Sequence, residues 1–477
     1  MPAMTPDDLL ERLRRRLGPH AVLTGDDAAF ALVDHRRVHR GAALAVVRPR
    51  DTAETAAVVA LAAEAGVALV PQGGNTGLSG GAVPPTDRPA LVVSTARLDR
   101  IERVDPVGDV VVAGAGVTIQ AVQEAAAGVD RLFAPDWGAR GTATVGGAIA
   151  TNAGGLNVLA YGPLRHHVLG LEVVLGDGRV HDGLRPLRKN SAGVDLTHLF
   201  IGAEGTLGIV TRASLALLPR PRHQRTALIA LARLDAVADL LPRARERAPG
   251  RLTAFELVPE AGMGAVVERF GIARPLATRA AWYVLVRFAG PRPVDDDLAA
   301  FCAEAVGAGR AVDAVVAAST EQEERLWLIR DELPPPGLFA DAPLAVKADL
   351  AVPVDRVVAL VEGIEALVDR LAPGARPYVF GHVGDGNLHV HLLPGRVEPG
   401  RFAALRPDLI AALDELTWSL EGTISAEHGV GLELRDRIAG QIDEAGIDLL
   451  HRLKQAVDPA GIMNPGKTLP RRRADER

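Results

Sequence analysis

Short apolar runs punctuated by glycine fill residues 44–220. LAVVRP (44–49), VALVP (67–71) and PALVVS (89–94) each read as a strand, because a short apolar run bounded by turn residues suits a buried sheet. TAETAAVVALAAEAG (52–66) has helical spacing, with Thr52 as a candidate cap and Gly66 as the stop. Residues 110–127 read as strand, turn and helix. LGLEVVLGDGRVHDG (169–183) reads as a hairpin turning at Asp177-Gly178.

The pattern changes at LLPRPRHQRTA (217–227), where proline and arginine cluster and a domain boundary is expected. Beyond it, TALIALAR, TAFELVP, AAWYVLVRFAG and PLAVKADLAVP read as strands. LDAVADLLPRARERA, LAAFCAEAVGAG, EQEERLWLIRDEL and residues 354–372 and 402–422 read as helices. The alternation predicts an α+β chain with a sheet covered by helices on one face. The expected segments are an N-terminal helical piece (1–40), a first domain (41–220), a second domain of sheet and helices (221–422) and a C-terminal segment (423–477).

Composition narrows the class. A net charge of -6 and a pI near 6.1 disfavour general affinity for nucleic acid. Cys302 is the sole cysteine, so no internal disulfide forms and a reducing compartment suits the chain. The N-terminus reads as an amphipathic helix beginning at Pro6, and no run reaches the ~18 apolar residues of a membrane span. A cytoplasmic protein with a frayed basic tail, PRRRADER, is the expectation.

Three low-bulk stretches point to a large bound cofactor. PQGGNTGLSGGAVP (71–84) follows a strand, and its glycines can turn successive N–H groups into one concavity that suits a pyrophosphate. GTATVGGAIATNAGG (141–155) can lay main chain against a flat ligand, with Thr144 and Asn152 as side-chain donors or acceptors. FIGAEGTLGIVT (200–211) adds Glu204, Gly205 and Gly208. The nicotinamide fingerprint GxGxxG is absent: Gly114 and Gly116 begin one, but Ile119 stands at the third glycine. GIMNPGKT (461–468) satisfies the P-loop pattern literally, yet Pro465 removes an N–H that the phosphate cradle needs.

GHVGDGNLHVHLL (381–393) gathers His382, His389 and His391 around a Gly-Asp-Gly turn. On a strand, His389 and His391 face the same side, and the turn can bring His382 back toward them. With Glu427 from SAEHGVG (425–431), His382 and His389 could ligate a metal and leave a position open for substrate. HExxH is absent, so this is no zincin. Satisfied histidines at a sheet edge are the plainer alternative.

PQGGNTGLSGG, GGAIATNAGGLNVLAYG, LRKNSAGVDLTHLFIGAEGTLGIVT, GHVGDGNLH, SAEHGVG and MNPGKTLP together resemble the FAD-linked 2-hydroxyacid dehydrogenases of the vanillyl-alcohol-oxidase-like superfamily, over roughly residues 40–470. Within it the motifs are most similar to the D-2-hydroxyglutarate enzymes, with D-lactate and glycolate enzymes as relatives. The resemblance implies a two-part FAD-binding domain, a cap domain for substrate, and a C-terminal segment returning to the flavin. It implies that FAD is held by Pro71, Gly73, Gly74, Asn75, Thr76, Gly77, Ser79, Gly80, Pro135, Thr144, Gly147, Asn152, Gly154, Gly155, Glu204, Gly208, Ile209 and Asn464. It implies a divalent metal, commonly zinc, on His382, His389 and Glu427, with His428 as the base and Arg330, Lys347 and His391 toward the substrate.

Two departures bear on the acid. Pro334 stands where the 2-hydroxyglutarate enzymes tend to have Thr, and His391 where they tend to have Asn. They keep D-lactate or glycolate oxidation beside the first reading. A flavin-binding protein without catalysis is the third. Reduced flavin would pass its electrons to electron-transfer flavoprotein or a quinone, since no nicotinamide site is visible. A homodimer is allowed.

Overall fold

The computed structural model describes residues 4–334 and 338–471; the end of the basic tail, 472–477, lies outside it. The chain divides into two compact units. The first comprises Met1–Gly155, Gly162–Arg220 and Glu427–Arg477, and the second Leu156–Tyr161 and Pro221–Ala426.

In the first unit, strands Ala45–Val47, Ala90–Ser94 and Ala68–Gln72 pair in parallel, with Val22–Leu23 antiparallel at the edge. The strands are almost wholly buried, which is why they read as unbroken apolar runs. Helices Pro6–Leu17 and Thr52–Ala65 cover them, through Leu9, Leu13, Val58, Val59 and Ala62. The second helix is capped by Asp51, whose side chain accepts from the Glu54 N–H. Thr52 is instead its first residue and hydrogen-bonds buried Glu172. Gly66 ends the helix in the left-handed conformation, as its position suggested.

A second sheet in this unit is antiparallel, in the order Ile101–Asp105, Val110–Gly114, Ile209–Ala216, Val168–Val174, Val180–Asp182. The last two form the hairpin around Asp177-Gly178. Gly114 and Gly116 serve close packing here: a Cβ on either would lie 2.1 Å from a carbonyl oxygen, of Leu98 or Thr95. The closing segment returns to the first sheet. Ile462 O accepts from Leu69 N at 2.7 Å, and Asn464 N donates to Leu69 O at 2.7 Å.

The second unit carries an antiparallel four-stranded sheet, Leu252–Pro259, Trp282–Gly290, His223–Leu231, Ala311–Val316, and a three-stranded one, Val346–Ala351, Asn387–Leu393, Arg376–Phe380. Leu257 and Gly381 join them by a reciprocal pair of main-chain hydrogen bonds, 2.8 and 3.1 Å. Strand Ala311–Val316 and helix Glu260–Phe270 escaped the pattern reading, as did helix Glu444–Val457 of the first unit. EAGMGAVVERF holds two glycines, which obscure its helical period.

Candidate active site

In the first unit, parallel strands Ala68–Gln72 and Ala90–Ser94 deliver their carboxyl ends to one side. Ligands of open α/β sheets collect at such ends. Residues 73–79 follow one strand and Thr95 the other, and a cavity of about 400 Å³ opens there. Its wall includes Pro71, Gly73, Gly74, Asn75, Thr76, Gly77, Ser79, Thr144, Gly147, Gly154, Gly155, Glu204, Gly208, Ile209, Glu427 and His428.

The wall fits a dinucleotide carrying a pyrophosphate. Among the described residues, no protein group accepts from the main-chain N–H groups of Gly74 to Leu78, and such a run of donors is what phosphate oxygens require. Low bulk is obligatory at this point, because a Cβ on Gly74 would sit 1.9 Å from the Thr142 carbonyl oxygen.

Four residues of the expected cofactor set lie off this wall. Gly80 packs against the His39 ring, and the Pro135 carbonyl accepts from Gln123. Asn152 ends helix Val145–Thr151 in the left-handed conformation, and its Oδ1 accepts from Arg165 N at 3.0 Å. Asn464 is buried, and its Nδ2 donates to the carbonyls of Gly81 (2.9 Å) and Glu204 (2.6 Å). Asn464 Oδ1 is left without a partner among the described residues.

Thr144 lines the cavity and also caps helix Val145–Thr151, its Oγ1 accepting from Gly147 N. Trp137 and Thr95 line the cavity and were missed by the sequence reading. The Thr95 hydroxyl is buried with no partner among the described residues. The signal for Thr95 was available: it is the polar residue just past a buried parallel strand.

The SAEHGVG loop is held by residues of the glycine segments. Ser79 Oγ donates to the carbonyls of His428 and Gly429, each at 3.1 Å. Glu204 accepts from Val430 N at 2.7 Å and from Gly431 N at 2.9 Å. Burial raises the Glu204 carboxyl, and these N–H groups work against that rise. Gly431 has φ +52°, and a Cβ there would meet Ser79 O at 2.1 Å. On this loop Glu427 Oε2 accepts from Gly155 N at 2.9 Å, and Glu427 Oε1 lies 3.5 Å from His428 Nε2.

GIMNPGKT leads into no helix among the described residues. Its Lys467 is buried, and burial lowers its ammonium to about 8, helped by Arg435 and opposed by Glu204 and Asp87.

The second unit is built differently. Glu256, on strand Leu252–Pro259, is buried. Its Oε2 accepts from Arg330 Nε at 2.9 Å, and its Oε1 lies 3.0 Å from His382 Nδ1. Arg330 Nη2 is 3.2 Å from His382 Nε2. A guanidinium only donates, so Nε2 is the acceptor nitrogen and the ring proton lies on Nδ1, toward Glu256. Burial pushes the Glu256 carboxyl up, but His382 and Arg330 outweigh it and hold the group at about 2.

His382 and His389 meet edge to face, with ring centroids 5.5 Å apart. His389 stands opposite Asp349 across the ladder, Nδ1 to Oδ1 3.5 Å. Asp349 was missed; one acid in PLAVKADLAVP carries no signal until the strand pairing is known. His391 stacks on Phe380, centroids 5.8 Å apart, and faces exposed Lys347 across the same ladder. Pro334 is exposed.

Comparison with known proteins places these features in a family. A model described as "FAD linked oxidases, C-terminal domain" matches residues 220–468, and one described as "FAD binding domain" matches residues 43–183. The chain is 34% identical to "D-2-hydroxyglutarate dehydrogenase, mitochondrial" of Bos taurus, covering 98% of this chain and 84% of that protein. It is 36% identical to the D-2-hydroxyglutarate dehydrogenase of Xanthomonas citri pv. viticola, over 89% of each.

Among solved structures it is similar to 4-ethylphenol oxidase from Gulosibacter chungangensis (TM-score 0.73, 20% identity, 98% of each chain). It is also similar to p-cresol methylhydroxylase (TM-score 0.74, 16% identity, 97% of this chain and 96% of that one). At these identities the two structures speak for the fold. No described helix is long and apolar enough to cross a membrane.

Proposed function

The chain belongs to the FAD-linked 2-hydroxyacid dehydrogenases and is an FAD-dependent oxidoreductase of a 2-hydroxy acid; we propose that its substrate is D-2-hydroxyglutarate and that a divalent metal assists the reaction. The observation that carries the reading is that His428 and Glu427 line the same cavity as the glycine segments. The expected base thus stands on the wall where a flavin fits.

FAD, when bound, supplies a hydride acceptor at its N5. A divalent metal, zinc by resemblance, supplies Lewis acidity toward the substrate hydroxyl. His382, His389 and Glu427 would hold that metal. The donor types fit: the hydrogen bond to Glu256 keeps the ring proton off His382 Nε2, whose lone pair accepts from Arg330 Nη2 at 3.2 Å and would have to exchange that donor for the metal, and Asp349 adds a carboxylate beside His389. Ala426, hydrogen-bonded to the Asp349 carbonyl at 3.3 Å, is followed in the chain by Glu427.

His428 would accept the hydroxyl proton at a ring nitrogen, since an imidazole can take a proton near neutral pH. Ser79 and Glu204 hold its loop, so the ring starts from a restrained main chain. Arg330 and Lys347 would orient the carboxylates of the acid. Arg330 is suited to this, because among the described residues its Nη1 donates to no protein group. The electrons would leave for a flavoprotein or quinone acceptor. The single buried cysteine fits a reducing compartment, in the cytoplasm or in the mitochondrion that the eukaryotic relatives' names carry.

A second reading, D-lactate or glycolate, rests on Pro334 and His391: neither reproduces the side chain expected there for a second carboxylate. An anaerobic titration separates the readings. Flavin absorbance is followed with D-2-hydroxyglutarate, D-malate, D-lactate and glycolate, before and after chelation. D-2-hydroxyglutarate should bleach the flavin fastest, and chelation should slow it. D-lactate outrunning both dicarboxylates would replace the first reading with the second.

A further inference from the structure

We infer that Glu256 is a positioning residue for the reaction, holding Arg330 for a substrate carboxylate and fixing His382 in the tautomer whose Nε2 can ligate. The inference deepens the proposed function and rests on it for the roles of those two partners.

Glu256 is the one ionisable residue of LTAFELVP, a strand buried along its whole length. A carboxylate there is costly unless its oxygens are satisfied. Each oxygen takes one donor: Oε2 from Arg330 on helix Thr320–Asp331, Oε1 from His382 beside the Gly-Asp-Gly turn. Its partners are therefore two residues from separate elements of this unit, one proposed to face the substrate and the other the metal.

What each partner has left follows from the bond it makes. With Nε committed to Glu256, the Arg330 plane is set, and its Nη1 edge stays available for a carboxylate. With Nδ1–H committed to Glu256, the His382 proton cannot move to Nε2 without leaving a buried oxygen unpaired, so Nε2 stays an acceptor: it takes Arg330 Nη2–H at 3.2 Å, and a metal would take that donor's place. Glu256 thus acts through other residues and touches no reacting atom. Groups that orient a ligating histidine in this way typically govern metal affinity by 10–100-fold.

Glu256→Gln is the test, because it keeps the volume and removes one acceptor. Arg330 Nε–H and His382 Nδ1–H both need an acceptor, and an amide offers one. Measured on holoenzyme with wild-type FAD content, zinc affinity from chelator competition should weaken about 10–100-fold. The KM for the acid should rise at least about 10-fold as Arg330 loses its anchor. Glu256→Asp, which retains both oxygens on a shorter arm, should recover part of each.

A purely structural ion pair predicts something else: a lower melting temperature with zinc affinity and KM within about twofold of wild type. That result overturns the inference. If Glu256→Gln does not fold, Glu256→Asp carries the same two measurements, and unchanged values there overturn it as well. A wild-type enzyme that binds no divalent metal would sink the metal reading alone. The KM shift would then still decide whether Glu256 positions Arg330.

Discussion

The cavity wall of the first unit and the polar cluster of the second are built from different material. The wall presents main chain: five N–H groups from Gly74 to Leu78 that meet no protein acceptor among the described residues, and glycines where a Cβ would strike a carbonyl. The cluster presents side chains, Glu256, Arg330, His382, His389 and Asp349, each contacting another in the group. A main-chain site is sensitive to added bulk and indifferent to most exchanges of small residues. A side-chain site is sensitive to the loss of a single polar atom, because a buried partner is then left unsatisfied. The loop of Glu427 and His428 sets two ionisable side chains on the main-chain wall, and so tests how far the division holds.

The largest break in that division should come from His428→Ala. Flavin reduction by substrate should fall about 10²–10⁴-fold while the purified protein keeps its FAD. Stopped-flow absorbance and the flavin-to-protein ratio measure the two effects separately. Full activity in this variant would remove His428 from the reaction.

Gly74→Val should do the reverse. The added side chain collides with the Thr142 carbonyl, and overpacking of about 1–3 kcal/mol corresponds to FAD binding weakened up to about 100-fold. A yellow, fully loaded Gly74→Val protein would show that the wall tolerates bulk.

Glu204→Gln addresses the join between chemistry and wall. Its carboxylate accepts from Val430 and Gly431, and charge-assisted bonds are the stronger kind. Loosening the loop should lower kcat about 10-fold with FAD affinity within a few-fold of wild type, as steady-state kinetics and flavin fluorescence would report.

Thr95→Val should be mildest. Removing one hydroxyl from the cavity wall costs about 0.5–1.5 kcal/mol if that hydroxyl meets the cofactor, or FAD binding weaker by about 2–10-fold. An unchanged dissociation constant would mean the hydroxyl faces nothing.

The same contrast explains what could be read before any coordinates. A main-chain site advertises itself: GGNTG, VGGAIATNAGG and GAEGTLG are conspicuous because low bulk is a property of the residues themselves. Asp349 and Glu256 advertised nothing. Glu256 is a single acid in an apolar strand, and its partners lie 74 and 126 positions away. Thr52 shows the limit on a smaller scale. Cap preference suggested it, but Asp51 one residue earlier offered the better oxygen, and Thr52 turned to Glu172 instead.

By itself the sequence determined the α+β character, the low-bulk glycine segments that line the cavity and the histidine-rich turn, since strand length, side-chain bulk and turn chemistry are all local. Only the tertiary structure decided that residues 462–464 return beside Leu69, that Ser79 and Glu204 grip the SAEHGVG loop, and that Glu256 pairs with Arg330 and His382. Those choices depend on which distant groups meet once water is excluded, and a buried charge takes whichever partner the packing brings within hydrogen-bond reach.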